Sequence, residues 1–174
     1  MNFNEIKTSY DVCKELNFDY NLFSNNINLL KIGGFSERLI SIYKLELILR
    51  SLNGNSFKLF DLLNCNEPIY YPKFSIYRTE LEFYPKYSNK LLLNKFYTKK
   101  DNKYYYLYID KNSTTVKLFI SDISGVIANS TEISGLIFIG CKSHEIAYHF
   151  GKYFYKDIFD LLFKSLEDEI EWEY

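Results

Sequence analysis

The chain of 174 residues is 47% hydrophobic and 25% charged, and its formal net charge is −1. This is a globular composition, and the length suits a single domain, 1–174, with a core of its own. No apolar run approaches the ~18 residues that span a bilayer, and three cysteines without a C-x-x-C suggest neither a disulfide framework nor a zinc knuckle. The N-terminus also lacks the regions of a signal peptide, so we expect a cytoplasmic protein with no membrane partner.

The first segment, residues 1–55, is predicted to be helical. A short N-terminal helix is expected over 5–18, and a longer one over 36–52. Ser36 is a suitable N-cap for the longer helix, and Gly54 follows its end. Apolar residues recur between these two at three- and four-residue spacing, so one face of the helix packs against the rest of the fold.

A period of two replaces the helical period over 67–140, which predicts an antiparallel β-meander. Asp101-Asn102 and Lys111-Asn112-Ser113 are turn-like breaks between strands, because Asn and Asp tolerate turn geometry. The strands are expected at 69–78, 80–87, 91–98, 103–110, 115–121 and 135–140.

The helical period returns in a C-terminal helix over 143–168, and an acidic tail, 167–174, ends the chain. Ala147 and Gly151 lie four residues apart on one face of this helix, which allows its backbone to approach the sheet closely. The predicted class is therefore α+β: an antiparallel β-sheet packed against two longer helices and one short N-terminal helix.

Three motifs recur in the order and spacing of a known family: IKTSYDVCKEL at 6–16, YYPKF at 70–74 and KSHEIAYHFGKYF at 142–154. With the helix LISIYKLELI at 39–48, they make the chain resemble a family of small phage and prophage proteins of Bacteroidetes-type bacteria. Lys73 stands where that family tends to have Trp, and the Arg that often precedes its last strand is missing. The family has no function to transfer, so the resemblance implies only a phage gene expressed in the cytoplasm of a bacterial host.

Cys141, His144 and His149 are the one ligand-type cluster in the sequence. On a helix the two histidines point roughly 140° apart, and a structural zinc normally takes four ligands. A Cys141–His144 nucleophile pair lacks an orienting third group.

Gly33-Gly34 is not followed by the residues of a phosphate loop. We therefore expect no catalytic residue, no metal and no cofactor.

The stretch 86–117 holds eight Lys and two Asp, a net of +6, interleaved with aromatic residues. Lysines neutralise phosphates and exposed aromatic rings stack on unpaired bases, so this stretch is a candidate site for single-stranded RNA. The alternative is that half of the aromatics face the core while the lysines solvate the other side. The candidate nucleic-acid-binding residues are Lys95, Lys99, Lys100, Lys103, Tyr97 and Tyr105.

Residues 145–174 hold three Lys and eight acids, a net of −5. Acids at the C-terminus of a helix oppose its dipole, so the tail over 167–174 does not stabilise the last helix. We interpret it as a segment that enters a basic groove of a partner, and alternatively as a solvated end. On the first interpretation, deleting the tail leaves the melting temperature nearly unchanged. The candidate partner-binding residues are Glu169, Glu171, Trp172, Glu173 and Tyr174.

Three classes of function stay open. The leading hypothesis is a non-enzymatic binding protein of phage origin that inhibits or modulates a host nucleic-acid-handling defence system, as an anti-CRISPR acting on an RNA-guided nuclease would. Its partner is then a host protein or ribonucleoprotein effector, with RNA as a further partner. The alternative is a virion accessory or assembly protein, and the third class is a small enzyme with a dispersed site. The oligomeric state is left open.

Overall fold

The computed structural model describes residues 2–54, 69–78, 80, 88–99, 102–115, 120–121, 140–163 and 170–173. Within these ranges the chain has the predicted α+β class, with helices packed on one face of a mainly antiparallel sheet. We call that side of the sheet its inner face and the opposite side its outer face. None of the described helices combines the length and apolar character needed to cross a membrane.

Helices occupy the N-terminal part of the described chain. A short 3-10 helix, Phe3–Glu5, is followed by α1 (Ser9–Glu15), α2 (Tyr20–Ile32) and α3 (Glu37–Asn53). The helix predicted over 36–52 is confirmed to within one residue at each end. The helix predicted over 5–18 is shorter than expected, and α2 was not predicted.

Side-chain caps determine where the first two α-helices begin. Thr8 and Asp11 form a reciprocal box, in which the Asp11 N–H donates to Thr8 Oγ1 and the Thr8 N–H donates to the Asp11 carboxylate. Asp19 likewise accepts the Leu22 N–H at 2.9 Å at the start of α2. Ile27 is the buried residue of α2, and four of its 13 residues are Asn. This helix therefore shows neither a strong apolar stripe nor a high helix propensity, which explains why its period was missed.

Five strands form one sheet among the described residues, in the spatial order β4-β1-β3-β2-β5. Neighbouring strands are antiparallel, except that β4 runs parallel to β1. The strands are β1 (Tyr71–Tyr77), β2 (Lys90–Thr98), β3 (Lys103–Thr115), β4 (Ile120–Ser121) and β5 (Ile170–Trp172).

The strands predicted at 69–78, 91–98 and 103–110 correspond to β1, β2 and β3. The turn predicted at Lys111-Asn112-Ser113 is wrong, because β3 continues to Thr115 and pairs there with the start of β1 across a bulge. The turn predicted at Asp101-Asn102 fits Asn102, whose φ of 58° is in the left-handed region that Asn tolerates. The strand predicted at 115–121 contains β4, and those at 80–87 and 135–140 lie outside the described residues except for residues 80 and 140, which are not in strands.

The C-terminal helix is divided into α4 (His144–Tyr153) and α5 (Tyr155–Phe163). The prediction of one continuous helix over 143–168 is therefore wrong within the described part, which ends at Phe163. Phe154 leaves the helical geometry, with φ −118° and ψ 20°. Its N–H still donates to the Phe150 carbonyl, and its own carbonyl accepts from the Ile158 N–H. The two helices thus meet at the buried residue Phe154, and both of these backbone hydrogen bonds are kept.

The hydrophobic core lies between the helices and the inner face of the sheet. Aromatic rings from both layers meet there, as where Phe74 and Phe159 pack edge to face at 5.4 Å. The largest fully buried side chains include Tyr105, Phe74, Phe96, Phe150, Ile6, Leu45, Leu49, Leu107, Ile109 and Ile158.

Gly151 lets α4 approach the sheet closely. A Cβ atom at this position would lie 2.5 Å from Pro72 Cβ and 2.6 Å from Ile109 Cδ1. Ala147, four residues earlier, is fully buried. The predicted pair of small residues facing the sheet is confirmed, because any larger side chain at 151 would force the helix away from β1 and β3.

His149 ties α4 to the start of the chain from a buried position. The carbonyl oxygen of Ile6 can only accept, so the contact of 2.6 Å assigns the hydrogen to His149 Nε2. The ring also packs against Tyr153 at 4.6 Å. Burial lowers the pKa of His149, the hydrogen bond to Ile6 opposes this shift, and the ammonium groups of Lys7 and Lys152 add to it.

This histidine makes the stability of the fold depend on pH. In the unfolded chain His149 takes up a proton below its ordinary pKa of about 6.5, whereas the folded chain resists protonation to a lower pH. The free energy of unfolding should therefore fall as the pH is lowered from 7.5 through 6.5, by at most about 1.4 kcal/mol per pH unit from this group. Urea unfolding at several pH values measures this slope.

The control variant is His149→Phe, which keeps a ring in the core but cannot titrate, so its stability should lose this part of the pH dependence. Equal slopes for the wild type and His149→Phe would show that His149 is protonated equally easily in both states.

Candidate functional site

The outer face of the sheet carries tyrosines because β3 alternates strictly. Tyr105 and Leu107 point into the core, and the intervening Tyr104 and Tyr106 therefore point outwards. Tyr104 keeps 47% of its surface exposed. The run of tyrosines in the sequence thus serves both faces, with alternate rings in the core and on the outer face.

Lys95 and Tyr97 of β2 join these rings through the register of the sheet. Lys95 lies opposite Tyr106, and Tyr97 lies opposite Tyr104. The Lys95 ammonium is 4.0 Å from the centre of the Tyr104 ring and 5.9 Å from that of Tyr106, which are cation–π distances. The rings of Tyr97 and Tyr104 are 5.2 Å apart, and the Tyr97 hydroxyl donates to Asn102 Oδ1. We call Lys95, Tyr97, Tyr104 and Tyr106 the tyrosine–lysine cluster.

Two glutamates of the C-terminal segment meet the lysines of this face. Lys95 Nζ donates to Glu173 Oε1 at 2.8 Å, and Lys99 Nζ lies 2.8 Å from Glu171 Oε1. The hydrogen bond to Glu173 raises the pKa of Lys95. The basic stretch and the acidic tail were predicted as two separate binding surfaces. In the described residues two lysines of the basic stretch instead pair with two glutamates of the tail.

Trp172 lies between these glutamates but points to the opposite face. The centre of its ring is 5.3 Å from that of Phe96, 5.6 Å from that of Tyr155 and 5.8 Å from that of Phe159. The Trp172 side chain is half-buried. The interpretation of this segment as a tail outside the fold is therefore wrong for Ile170–Trp172, which forms β5. The alternation of acidic and apolar residues from Glu169 to Glu173 is the sequence signal that predicts a strand here.

The remaining candidate residues lie in several environments. Tyr105 is 1% exposed and stacks with Phe96 at 5.7 Å in the core, so its proposed role in stacking on RNA bases is wrong. Lys103 is exposed, but the alternation of β3 places it on the inner side of the sheet, away from Tyr104. Lys100, Glu169 and Tyr174 lie outside the described residues.

A second polar cluster on the outer face joins the three central strands. Asp110 lies 4.0 Å from Lys73 Nζ and 3.9 Å from Lys90 Nζ, and accepts a hydrogen bond from Asn89 Nδ2 at 3.1 Å. Lys90 Nζ donates to Ser75 Oγ at 2.9 Å. A serine beside a lysine resembles a nucleophile with its base, but Lys90 also lies 3.9 Å from the Asp110 carboxylate and bridges the strands. Ser75 is also only 3% exposed, so this cluster serves to fix the strands.

The two described cysteines do not offer reactive thiols. Burial raises the pKa of Cys141 far above its ordinary value, and burial also raises that of Cys13. The protonated thiol is a poor nucleophile, so burial argues against Cys141 as a nucleophile. Over the described ranges, no three His, Cys, Asp or Glu side chains gather closely enough to hold a metal ion.

The arrangement that stands out is the tyrosine–lysine cluster, in which Tyr104 is exposed, Tyr97 and Tyr106 are partly buried, and Lys95 lies over the Tyr104 ring. Tyrosine offers a large contact area with a hydroxyl that can donate and accept, and its two side-chain torsions limit the entropy lost on binding. Comparisons of the chain with protein-family models, curated proteins and solved structures find no match. The role of the tyrosine–lysine cluster is therefore inferred from its own geometry.

The position of Trp172 leads to a stability prediction opposite to the one made for a free tail. Trp172→Ala should lower the free energy of unfolding by about 1–3 kcal/mol, less than the ~3–5 kcal/mol typical of a fully buried Trp. For a chain of this size each kcal/mol corresponds to roughly 2–4 °C in melting temperature. Thermal unfolding followed by circular dichroism measures the change.

Glu171→Gln is the control, since it alters the neighbouring exposed side chain and leaves the ring contacts intact. Its effect should stay within about 0.5 kcal/mol. A melting temperature for Trp172→Ala equal to that of the wild type would mean that the indole does not pack against Phe96, Tyr155 and Phe159 in solution.

Proposed function

We propose that the chain is a non-enzymatic binding protein whose tyrosine–lysine cluster recognises a protein partner. The observation that carries this proposal is the position of Lys95, which is 4.0 Å from the Tyr104 ring and 2.8 Å from Glu173. The Lys95 ammonium packs over the half-exposed Tyr104 ring, and the Glu173 carboxylate balances its charge. The face is thus pre-arranged and close to neutral in charge.

This charge balance favours a protein partner over RNA. A phosphate backbone is bound by cations whose counterions are released, and the affinity falls steeply with salt. Lys95 and Lys99, which flank Tyr97 along the chain, each have a carboxylate at 2.8 Å. Phosphate binding would have to break these pairs, whereas protein interfaces are enriched in tyrosine and depleted in charge at their centre.

The resemblance to phage proteins supports a target in the bacterial host. In this proposal the chain inhibits or modulates a host nucleic-acid-handling defence system, with an RNA-guided nuclease as the target class. An inhibitor of this kind needs a stable recognition surface and no catalytic centre. A virion accessory protein would use the same surface on phage structural proteins, and the two roles differ in which protein is bound.

The test is capture of a partner by the tagged chain from host lysate, with and without nuclease treatment. We expect the partner to survive nuclease treatment and to be lost when Tyr97 and Tyr104 are both replaced by Ala. Central aromatic side chains of an interface contribute ~2 kcal/mol or more, so the affinity should fall at least about 30-fold. Tyr10→Ala is the matched control, because Tyr10 is 60% exposed on α1.

Each possible outcome of the capture experiment supports a different alternative. Loss of the partner on nuclease treatment, together with salt-sensitive binding of a single-stranded RNA to the pure chain, would identify an RNA-binding protein instead. Equal capture by the wild type and the Tyr97→Ala/Tyr104→Ala variant would place the binding surface elsewhere. Phage structural proteins as the captured species would support the virion role, and a defence nuclease whose cleavage the chain blocks would support inhibition.

A further inference from the structure

The edge of β2 is bound by β5 in the manner in which sheet edges bind extended peptides. Three residue pairs set the register: Phe96 with Trp172, Tyr97 with Glu171 and Thr98 with Ile170. The Glu173 N–H extends the pairing by donating to the Lys95 carbonyl at 3.0 Å. Backbone hydrogen bonds of this kind accept any sequence, so selectivity has to come from the side chains.

The side chains along this edge select for aromatic and acidic groups in alternation. On the inner face, Phe96, Tyr155 and Phe159 surround the indole of Trp172 at 5.3–5.8 Å. On the outer face, Lys95 and Lys99 each hold a glutamate at 2.8 Å. The edge therefore fits an extended segment with an aromatic residue between two acids. Lys95, Lys99 and the aromatic pocket together are called the β2 groove.

The strand that fills the β2 groove is short and its charged contacts are exposed. β5 has three residues and is the last strand in the order of the described sheet. The side chains of Glu171 and Glu173 remain 60% and 49% exposed. Exposed ion pairs are weak and screened by salt, so β5 is held mainly by Trp172 and the backbone.

We infer that the β2 groove is a recognition site for an extended acid–aromatic–acid segment of a partner protein, and that β5 is the chain's own competitor for it. A competitor in the same chain acts at an effective concentration of the order of mM, so a partner segment must bind well enough to displace it. Because displacement also removes Glu171 and Glu173 from Lys99 and Lys95, partner binding at the edge would change the charge of the outer face. This inference does not require the tyrosine–lysine cluster to bind anything.

The experiment measures binding of a fluorescein-labelled peptide with the sequence of residues 167–174 to the full chain by fluorescence anisotropy. In the variant Glu171→Lys/Glu173→Lys, the new lysines repel Lys95 and Lys99, so β5 competes less strongly for the groove. The peptide should bind this variant at least about tenfold more tightly than it binds the wild type, because a weaker competitor reduces the apparent affinity less. The variant's circular dichroism spectrum and melting curve check that it is folded.

The main control is Glu5→Lys/Glu46→Lys, which changes the net charge by the same amount at two exposed positions on the 3-10 helix and α3. This control should bind the peptide no better than the wild type does. A peptide with Ala in place of Trp172 should lose at least about tenfold in affinity for the charge-reversed variant. Adding Lys95→Glu/Lys99→Glu to that variant should weaken binding of the unaltered peptide, because its acids then meet glutamates and the charge-reversed β5 regains its ion pairs.

A second way of emptying the groove keeps the test decisive if charge reversal unfolds the chain. Trp172→Ala in the full chain removes the main contact of β5, and the unaltered peptide should then bind more tightly than it binds the wild type. Equal binding to the charge control, or indifference to the tryptophan of the peptide, would overturn the inference. Such a result would leave the proposed function untouched, because that depends on the loss of captured partner in the Tyr97→Ala/Tyr104→Ala variant.

Discussion

The pairing of β5 with β2 joins the acidic end of the chain to its most basic strands, and the character of the outer face depends on it. Because side chains alternate along a strand, one register places Trp172 against the core and both neighbouring glutamates against lysines. A slip of one residue would exchange these positions, placing carboxylates against Phe96 and the indole in water. The hydrophobic contact therefore fixes the register, and the register brings the charges together.

The same alternation in β3 explains how so many tyrosines fit in one small domain. Tyr105 is enclosed between the sheet and the helices, whereas Tyr104 and Tyr106 present their rings on the outer face. An exposed aromatic face would favour self-association if nothing else lay on it. Here the Lys95 ammonium lies 4.0 Å from the centre of the Tyr104 ring and forms an ion pair with Glu173, so a charged pair covers part of the aromatic face.

Local signals were sufficient to predict part of this fold from the sequence. The N-cap Ser36, the small residues Ala147 and Gly151, and the period-two segments of the three central strands were identified correctly, because each depends on residues close together in the chain. Helix α2 was missed because its asparagine-rich sequence gives weak propensity and little of it is buried. The division between α4 and α5 was missed because neither Pro nor Gly stands at Phe154 to predict it.

The candidate site was predicted only in outline, for a different physical reason. Lys95, Lys99 and Tyr97 do share an exposed face, but the glutamates that pair with the lysines lie more than 70 positions later in the sequence. A sequence contains a basic stretch and an acidic stretch both when two surfaces bind two partners and when two strands pair with each other. The distribution of charge along the chain therefore cannot distinguish these two cases. The acid–aromatic alternation of β5 was visible, yet its position after a helix led to its interpretation as a tail.

Trp172 is the only tryptophan of the chain, so its fluorescence reports directly on whether β5 is docked in solution. The most direct test of the account is to compare the emission and acrylamide quenching of the native chain with those of the chain in denaturant. Docking against Phe96, Tyr155 and Phe159 predicts emission at shorter wavelength and weaker quenching in the native chain, with both differences lost on unfolding. Native emission and quenching equal to those of the denatured chain, in a sample that is folded by circular dichroism, would contradict the pairing of β5 with β2.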